Sequence, residues 1–241
     1  MPVDEVTRTW GPGRTTVLVV AILIPVNVID VRVEHVALVL APVTAAGLLL
    51  IARRAGLSWA ELGLGPGTWR RGLPWAGAAI GAVALVYAVG AALPLTRNSF
   101  RDTRYHLGWG GALLTAFVLI PLGTVLLEEI AFRGVLWGLL RSWRGTWVAT
   151  SISSALFGLW HVLGSLHLSA DNHAVGQAVG GGASGQVFSV LGTVLFTAAS
   201  GVVFCELRRR SGSLLAPAGL HWATNALGVL ASSAVWAWGT R

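Results

Sequence analysis

Three apolar stretches in the second half of the chain contain polar side chains that could do chemistry: Glu128, Glu129 and Arg133 in LLEEIAFRG, His161 in LFGLWHVLG, and His221 with Asn225 in GLHWATNAL. Residues four positions apart on a helix share a face. We therefore expect Glu129 to pair with Arg133, which leaves Glu128 free to address another surface. His221 and Asn225 should project together.

A carboxylate, two imidazoles and a carboxamide from three helices form a credible hydrolytic set. Glu128 could take a proton from water as a general base, with His161 orienting that water. His221 and Asn225 could donate hydrogen bonds to a developing oxyanion. Glu128, His161, His221 and Asn225 are equally suited to hold zinc or another divalent metal with a bound water. The residue types leave both mechanisms open.

The separate features also have ordinary structural explanations. A Glu and an Arg four positions apart commonly just stabilise a helix, and a lone histidine near a helix end is often a hydrogen-bonded structural residue. Charged groups within apolar spans cost about 2.5 to 3.5 kcal/mol each on insertion scales, so those that remain usually face a bundle interior and have a function. The joint occurrence of all three features favours one shared site.

The composition places these side chains in a membrane protein. Of the 241 residues, 54% are hydrophobic and 11% are charged, whereas a soluble domain has about a quarter charged residues. The net charge of +7 comes entirely from arginines, which sit beside the apolar runs and read as topology signals, so we expect no nucleic-acid partner. Cys205 is the single cysteine, which excludes an internal disulfide.

The hydropathy pattern predicts an all-α fold, a polytopic transmembrane helix bundle of seven or eight spans that forms a single integral membrane domain over residues 1–241. If the fourth span continues through the polar patch at Glu128, Pro121 is a plausible break or kink. The seven predicted spans cover residues 15–29, 36–52, 73–94, 109–127, 146–164, 187–206 and 214–237.

Arginine-rich loops at residues 53–71, 141–144 and 208–210 fall on the side of the amino terminus, which the positive-inside rule predicts to be cytoplasmic. The loop with Arg97, Arg101 and Arg104 falls on the other side and contradicts that rule. Residues 165–186 are rich in small residues and predict a flexible external loop or lid.

The three motifs, in this order, resemble the CPBP family of CAAX proteases and bacteriocin-processing enzymes, also called Abi proteins. The resemblance covers residues 109–235 and rests on Glu128-Glu129-x-x-x-Arg133, Phe157-x-x-x-His161 and His221-x-x-x-Asn225. It implies an intramembrane metalloendopeptidase in which Glu128 activates water or binds metal with His161 as its partner. It further implies that His221 and Asn225 stabilise the oxyanion or complete a metal site, with Glu129 and Arg133 supporting Glu128.

The resemblance also implies a membrane-associated or lipidated peptide or protein as substrate, membrane lipids as surroundings and the bacterial cytoplasmic membrane as location. Two other functions use the same residues. The chain could be a non-catalytic membrane scaffold or a bacteriocin-immunity factor, or a proton-coupled transporter. Against transport, the two halves show no paired inverted segments with matching Gly or Pro breaks. The oligomeric state is not encoded in these patterns.

Overall fold

The computed structural model describes residues 10–33 and 36–239, and this part of the chain is helical without named strands, which confirms the all-α prediction. The first three long helices are α1 (Pro12–Arg32), α2 (Ala37–Arg54) and α3 (Thr68–Ala92). The other four are α4 (Trp109–Arg144), α5 (Thr146–Trp160), α6 (Gly182–Ser211) and α7 (residues 215–239).

The number of spans is close to the prediction. Among the described residues, α1, α2, α3, α4 and α6 are long and apolar enough to cross a membrane, and α5 with Leu163–Asp171 makes a sixth span if this pair, bent by 45°, counts as one. The seventh predicted span coincides with α7. Because α7 contains His221, Thr224 and Asn225, it is less apolar than the others, and its crossing stays a prediction.

Helix α4 is continuous, so Pro121 does not break it. Its 36 residues span about 54 Å, well beyond the hydrocarbon thickness of a bilayer. Pro121 lies in a π-helical stretch, Thr115–Val125, in which its carbonyl accepts a hydrogen bond from the Leu126 N–H five residues on. The wider turn absorbs the proline without ending the helix.

Small residues allow the helices around the site to approach closely. A Cβ at Gly158 of α5 would lie 2.7 Å from the Val194 carbonyl oxygen of α6, and one at Gly219 of α7 would lie 2.6 Å from the Ala76 Cβ of α3. Such contacts need glycine, as is usual where membrane helices pack. Many large apolar side chains, such as Leu195 and Phe196, face outward, so lipid surrounds the bundle.

Residues 165–186 do not form the predicted flexible loop. They contain two short helices, Leu168–Asp171 and His173–Val179, and the first turn of α6. The Asn172 side chain caps the second helix by accepting hydrogen bonds from the N–H groups of Ala174 and Val175. It also donates to Asp102 Oδ2 at 3.3 Å, which ties the segment to the α3–α4 connection.

The arginines that contradict the positive-inside rule have structural partners. Arg104 donates from Nε and Nη2 to the two carboxylate oxygens of Asp102 at 2.9 and 2.7 Å. Arg97 donates to carbonyl oxygens at the end of α3, and Arg101 lies 5.7 Å from the ring centroid of Trp236. These side chains fold the connection against neighbouring elements, which explains their position independently of topology.

Candidate active site

The first motif lies in the buried middle of α4, where Glu128 directly precedes a second π-helical stretch, Glu129–Leu136, that contains Glu129 and Arg133. Glu128 and Glu129 are both buried. Arg133 Nη1 lies 3.2 Å from Glu129 Oε1, which confirms the predicted pair within one helix. Asn225 lies in a third π-helical stretch, Ala223–Leu227. Short π-helical stretches are rare and often mark functional positions.

Arg133 is 0% exposed and lies between two aromatic rings. Its guanidinium carbon is 3.8 Å from the ring centroid of Phe157 and 4.5 Å from that of Phe204. Its three side-chain nitrogens have no hydrogen-bond partner among the described residues. The Glu129 carboxylate and the two ring faces therefore provide the compensation for burying this cation.

His221 on α7 connects the two glutamates of α4. Its Nδ1 lies 2.8 Å from Glu129 Oε1, and its Nε2 lies 3.5 Å from Glu128 Oε2. The Phe204 ring stacks on the imidazole at 5.2 Å between centroids. When the carboxylate of Glu129 accepts a hydrogen bond from Nδ1–H, a neutral His221 has its lone pair on Nε2, which faces Glu128.

His161 occupies the bend that follows α5, directly after Trp160. Its Nδ1 lies 2.8 Å from the Phe157 carbonyl oxygen. Because a carbonyl oxygen accepts but cannot donate, Nδ1 must carry the proton in this contact. Its Nε2, 3.9 Å from Glu128 Oε2, then has a lone pair in the neutral ring. Both imidazoles thus turn Nε2 towards the same carboxylate oxygen.

Glu128 receives a hydrogen bond on one oxygen and has the other oxygen free. Trp160 Nε1 donates to Oε1 at 2.9 Å. Oε2 is buried and has no hydrogen-bond partner among the described residues. A buried carboxylate oxygen without a donor is costly unless a water, an ion or a substrate completes it. Glu128 Oε2, which lies near both histidines, is therefore open to a further partner.

A cavity of about 270 Å³ adjoins the two histidines. Asn225 lines it one turn after His221, so these two side chains face one space as the spacing predicted. The cavity is large enough for several backbone atoms of a peptide. Its other walls come from α3, α5, α6 and α7, namely Tyr87, Phe157, Phe196, Thr197, Ser200, Val203, Phe204, Leu220 and Thr224.

Contacts between neighbouring pairs connect five of the six predicted site residues, and the sixth, Asn225, shares the cavity with the histidines. Sequence reasoning missed Trp160, which holds Glu128, and Phe204, which lies against both Arg133 and His221. The position of Trp160 next to His161 was an available signal. Phe204 lies in an apolar stretch that gave none.

Glu128, His161 and His221 have donor types that divalent metals bind. No group of three or more His, Cys, Asp or Glu side chains within the described ranges forms a ready-made metal centre. The carboxylate on Glu129 does provide the outer contact that usually orients a metal-binding imidazole. A metal therefore fits the chemistry of these residues, and its presence stays a prediction.

The fold and the site define a class, namely polytopic helical membrane proteins with a buried carboxylate and imidazole centre. Residues 109–227 match the Rce1-like family, described as type II CAAX prenyl endopeptidase Rce1-like. This match confirms the resemblance predicted from the motifs. At family level it supports an intramembrane endopeptidase. Neither the curated proteins nor the solved structures gave a match.

Proposed function

We propose that this protein hydrolyses a peptide bond in a membrane-associated or lipidated substrate and that Glu128 activates the attacking water. The observation that carries the proposal is the environment of Glu128 Oε2, which is buried without a donor and lies 3.5 Å from His221 Nε2 and 3.9 Å from His161 Nε2. The family match supports peptide hydrolysis as the reaction. Buried surroundings strengthen the electrostatic interactions of such a carboxylate.

In the proposed first step, a water in the cavity donates one hydrogen bond to Glu128 Oε2 and a second to His161 Nε2. Glu128 takes a proton as the water oxygen attacks the scissile carbonyl, forming a tetrahedral oxyanion. In the second step the carbon–nitrogen bond breaks, and Glu128 returns its proton to the leaving amine. Atoms and charge balance, because the base is regenerated.

The oxyanion needs donors, and Asn225 supplies one from its amide nitrogen. His221 faces the same space, and Glu129 orients its imidazole through the 2.8 Å contact with Nδ1. Arg133 in turn balances the charge of Glu129. A zinc or similar ion held by Glu128, His161, His221 and Asn225 would supply Lewis-acid activation of the water or the carbonyl.

The test compares pairs of synthetic peptides with one CAAX sequence, farnesylated or unmodified, incubated with detergent-purified protein. We expect the wild type to release a carboxy-terminal fragment and Glu128→Gln to lose this activity by at least 100-fold. Glu206→Gln is the matched control, because Glu206 is exposed and paired with Arg209 and Arg210. Equal cleavage by wild type and Glu128→Gln would favour the scaffold or immunity-factor function.

A further inference from the structure

Trp160 holds one of the two carboxylate oxygens of Glu128, and the other oxygen lies near the histidines. Its indole Nε1 donates to Oε1 at 2.9 Å, and Oε2 is the oxygen near both histidines. A carboxylate side chain with one oxygen held cannot rotate about its last bond without losing a charge-assisted hydrogen bond. The indole thus fixes the orientation of the base.

Trp160 is itself held at its ring by Phe132 and at its backbone by Asn27. Phe132 of α4 packs edge to face against it with ring centroids 5.8 Å apart. Asn27 of α1 donates from Nδ2 to the Trp160 backbone carbonyl at 3.1 Å. That carbonyl belongs to the last turn of α5, where the helix leaves its carbonyls without internal partners before the bend at His161. An apolar cavity of about 270 Å³ lies beside this contact, and the described residues that line it, apart from Asn27 and Trp160, are apolar.

Asn27 lies outside residues 109–227, the part of the chain that carries the family match. Its side chain nevertheless connects the first helix to the residue that holds the base. An asparagine inside an apolar span is costly unless it makes such a contact. The position of this polar residue within α1 is thereby explained by the site.

From these contacts we infer that Trp160 is a positioning residue for Glu128 and that Asn27 positions Trp160 from α1. The inference rests on the proposed function of Glu128 as the base. It assigns part of the catalytic scaffold to a helix outside the family match. Neither residue touches the substrate in this scheme, so both should affect the rate of bond cleavage more than the binding of the peptide.

The first variant is Trp160→Phe, which removes the N–H donor and keeps an aromatic ring. For cleavage of the farnesylated peptide, we expect kcat and the single-turnover rate to fall roughly 10-fold, with KM within about twofold of wild type. Trp137→Phe is the matched control, because Trp137 Nε1 donates to Thr150 Oγ1 at 3.2 Å rather than to a site residue. It loses the same donor and should keep the wild-type kcat.

The second variant is Asn27→Leu, which keeps the number and branching of the side-chain heavy atoms and removes the amide. We expect kcat to fall roughly 3-fold with KM unchanged, while the thermal unfolding midpoint stays at or above that of wild type, because an apolar residue suits a membrane span. Thr16→Val on the same helix is the control, since Thr16 Oγ1 bonds to the Pro12 carbonyl within α1. Asn27→Leu tests the positioning role even if Trp160→Phe does not fold.

The outcomes separate the two proposals. If Glu128→Gln is inactive and both variants keep wild-type kcat, or change KM instead, the positioning role is overturned while the base role stands. If Glu128→Gln keeps activity, the proposed function fails whatever the other variants do. A kcat loss in both variants, with unchanged KM and normal controls, supports the positioning role.

Discussion

His221 and Glu129 lie 92 positions apart in the chain, and their side chains meet at 2.8 Å between Nδ1 and Oε1 inside the bundle. The same carboxylate oxygen lies 3.2 Å from Arg133 Nη1. One buried carboxylate therefore neutralises the arginine and orients the histidine. We therefore expect both the charge and the size of the Glu129 side chain to matter for the arrangement of Arg133 and His221.

Glu129→Gln keeps the size of this side chain and removes its charge. The buried Arg133 then lacks its counter-ion, and we expect the free energy of unfolding to fall by about 3 kcal/mol. Activity should fall as well, because the imidazole of His221 loses its oriented acceptor. Denaturant unfolding in detergent measures the first effect and peptide cleavage the second. Unchanged stability would show that the aromatic rings, not the carboxylate, compensate Arg133.

Gly158→Ala tests the close contact between α5 and α6. The added methyl would lie 2.7 Å from the Val194 carbonyl oxygen and 3.0 Å from the Ala198 Cβ, so the helices must separate. We expect a loss of about 1 to 3 kcal/mol in stability, measured by thermal unfolding. Gly192→Ala in α6 is the control, since nothing lies within 4 Å of its Cβ position. Equal stability of the two variants would contradict the helix packing.

Asp102→Asn tests the buried anchor of the α3–α4 connection. Burial raises the pKa of Asp102, but the hydrogen bonds and charge of Arg104 and the hydrogen bond of Asn172 outweigh it and hold the pKa below its ordinary value. A lowered folded pKa stabilises the protein above the unfolded pKa, and this contribution is lost as the pH falls through the folded value.

The asparagine variant should therefore be roughly 1 kcal/mol less stable than wild type at pH 7, and the difference should shrink as the pH falls below about 4. Thermal unfolding of both proteins over this pH range measures it. The difference is expected to appear first as faster hydrogen exchange in residues 168–179, which Asn172 ties to Asp102. A difference that grows with acidity would contradict the assigned pKa direction.

Helical spacing predicted the contacts within one helix, and the joint occurrence of the three motifs predicted that they share a site. Spacing predicted the Glu129–Arg133 pair and placed Asn225 with His221, because both depend on helical periodicity. Trp160 and Glu128 are 32 positions apart and lie on different helices. No local pattern encodes which apolar faces of two helices will pack together. A proline often ends a helix, which is why a break was expected at Pro121. The helix continues because π-helical hydrogen bonds form around this residue.

The segment 165–186 shows the second limit of sequence reasoning. Its small residues predict flexibility, yet Asn172 both caps a helix and reaches Asp102 in a distant connection. The cap was a readable local signal, whereas the partner depends on the tertiary fold. The crossing of α7 stays a prediction for a related reason, since its polar residues lower its hydropathy as a span.

The central claim is that Glu128 activates water for peptide hydrolysis. Cleavage of the farnesylated peptide in oxygen-18 water, followed by mass spectrometry of the new carboxyl terminus, measures this directly. The wild type should incorporate one oxygen-18 atom per bond cleaved, and Glu128→Gln, checked for folding by its unfolding midpoint, should give no labelled product. Labelled product from Glu128→Gln at the wild-type rate would contradict the account, because another group would then be the base.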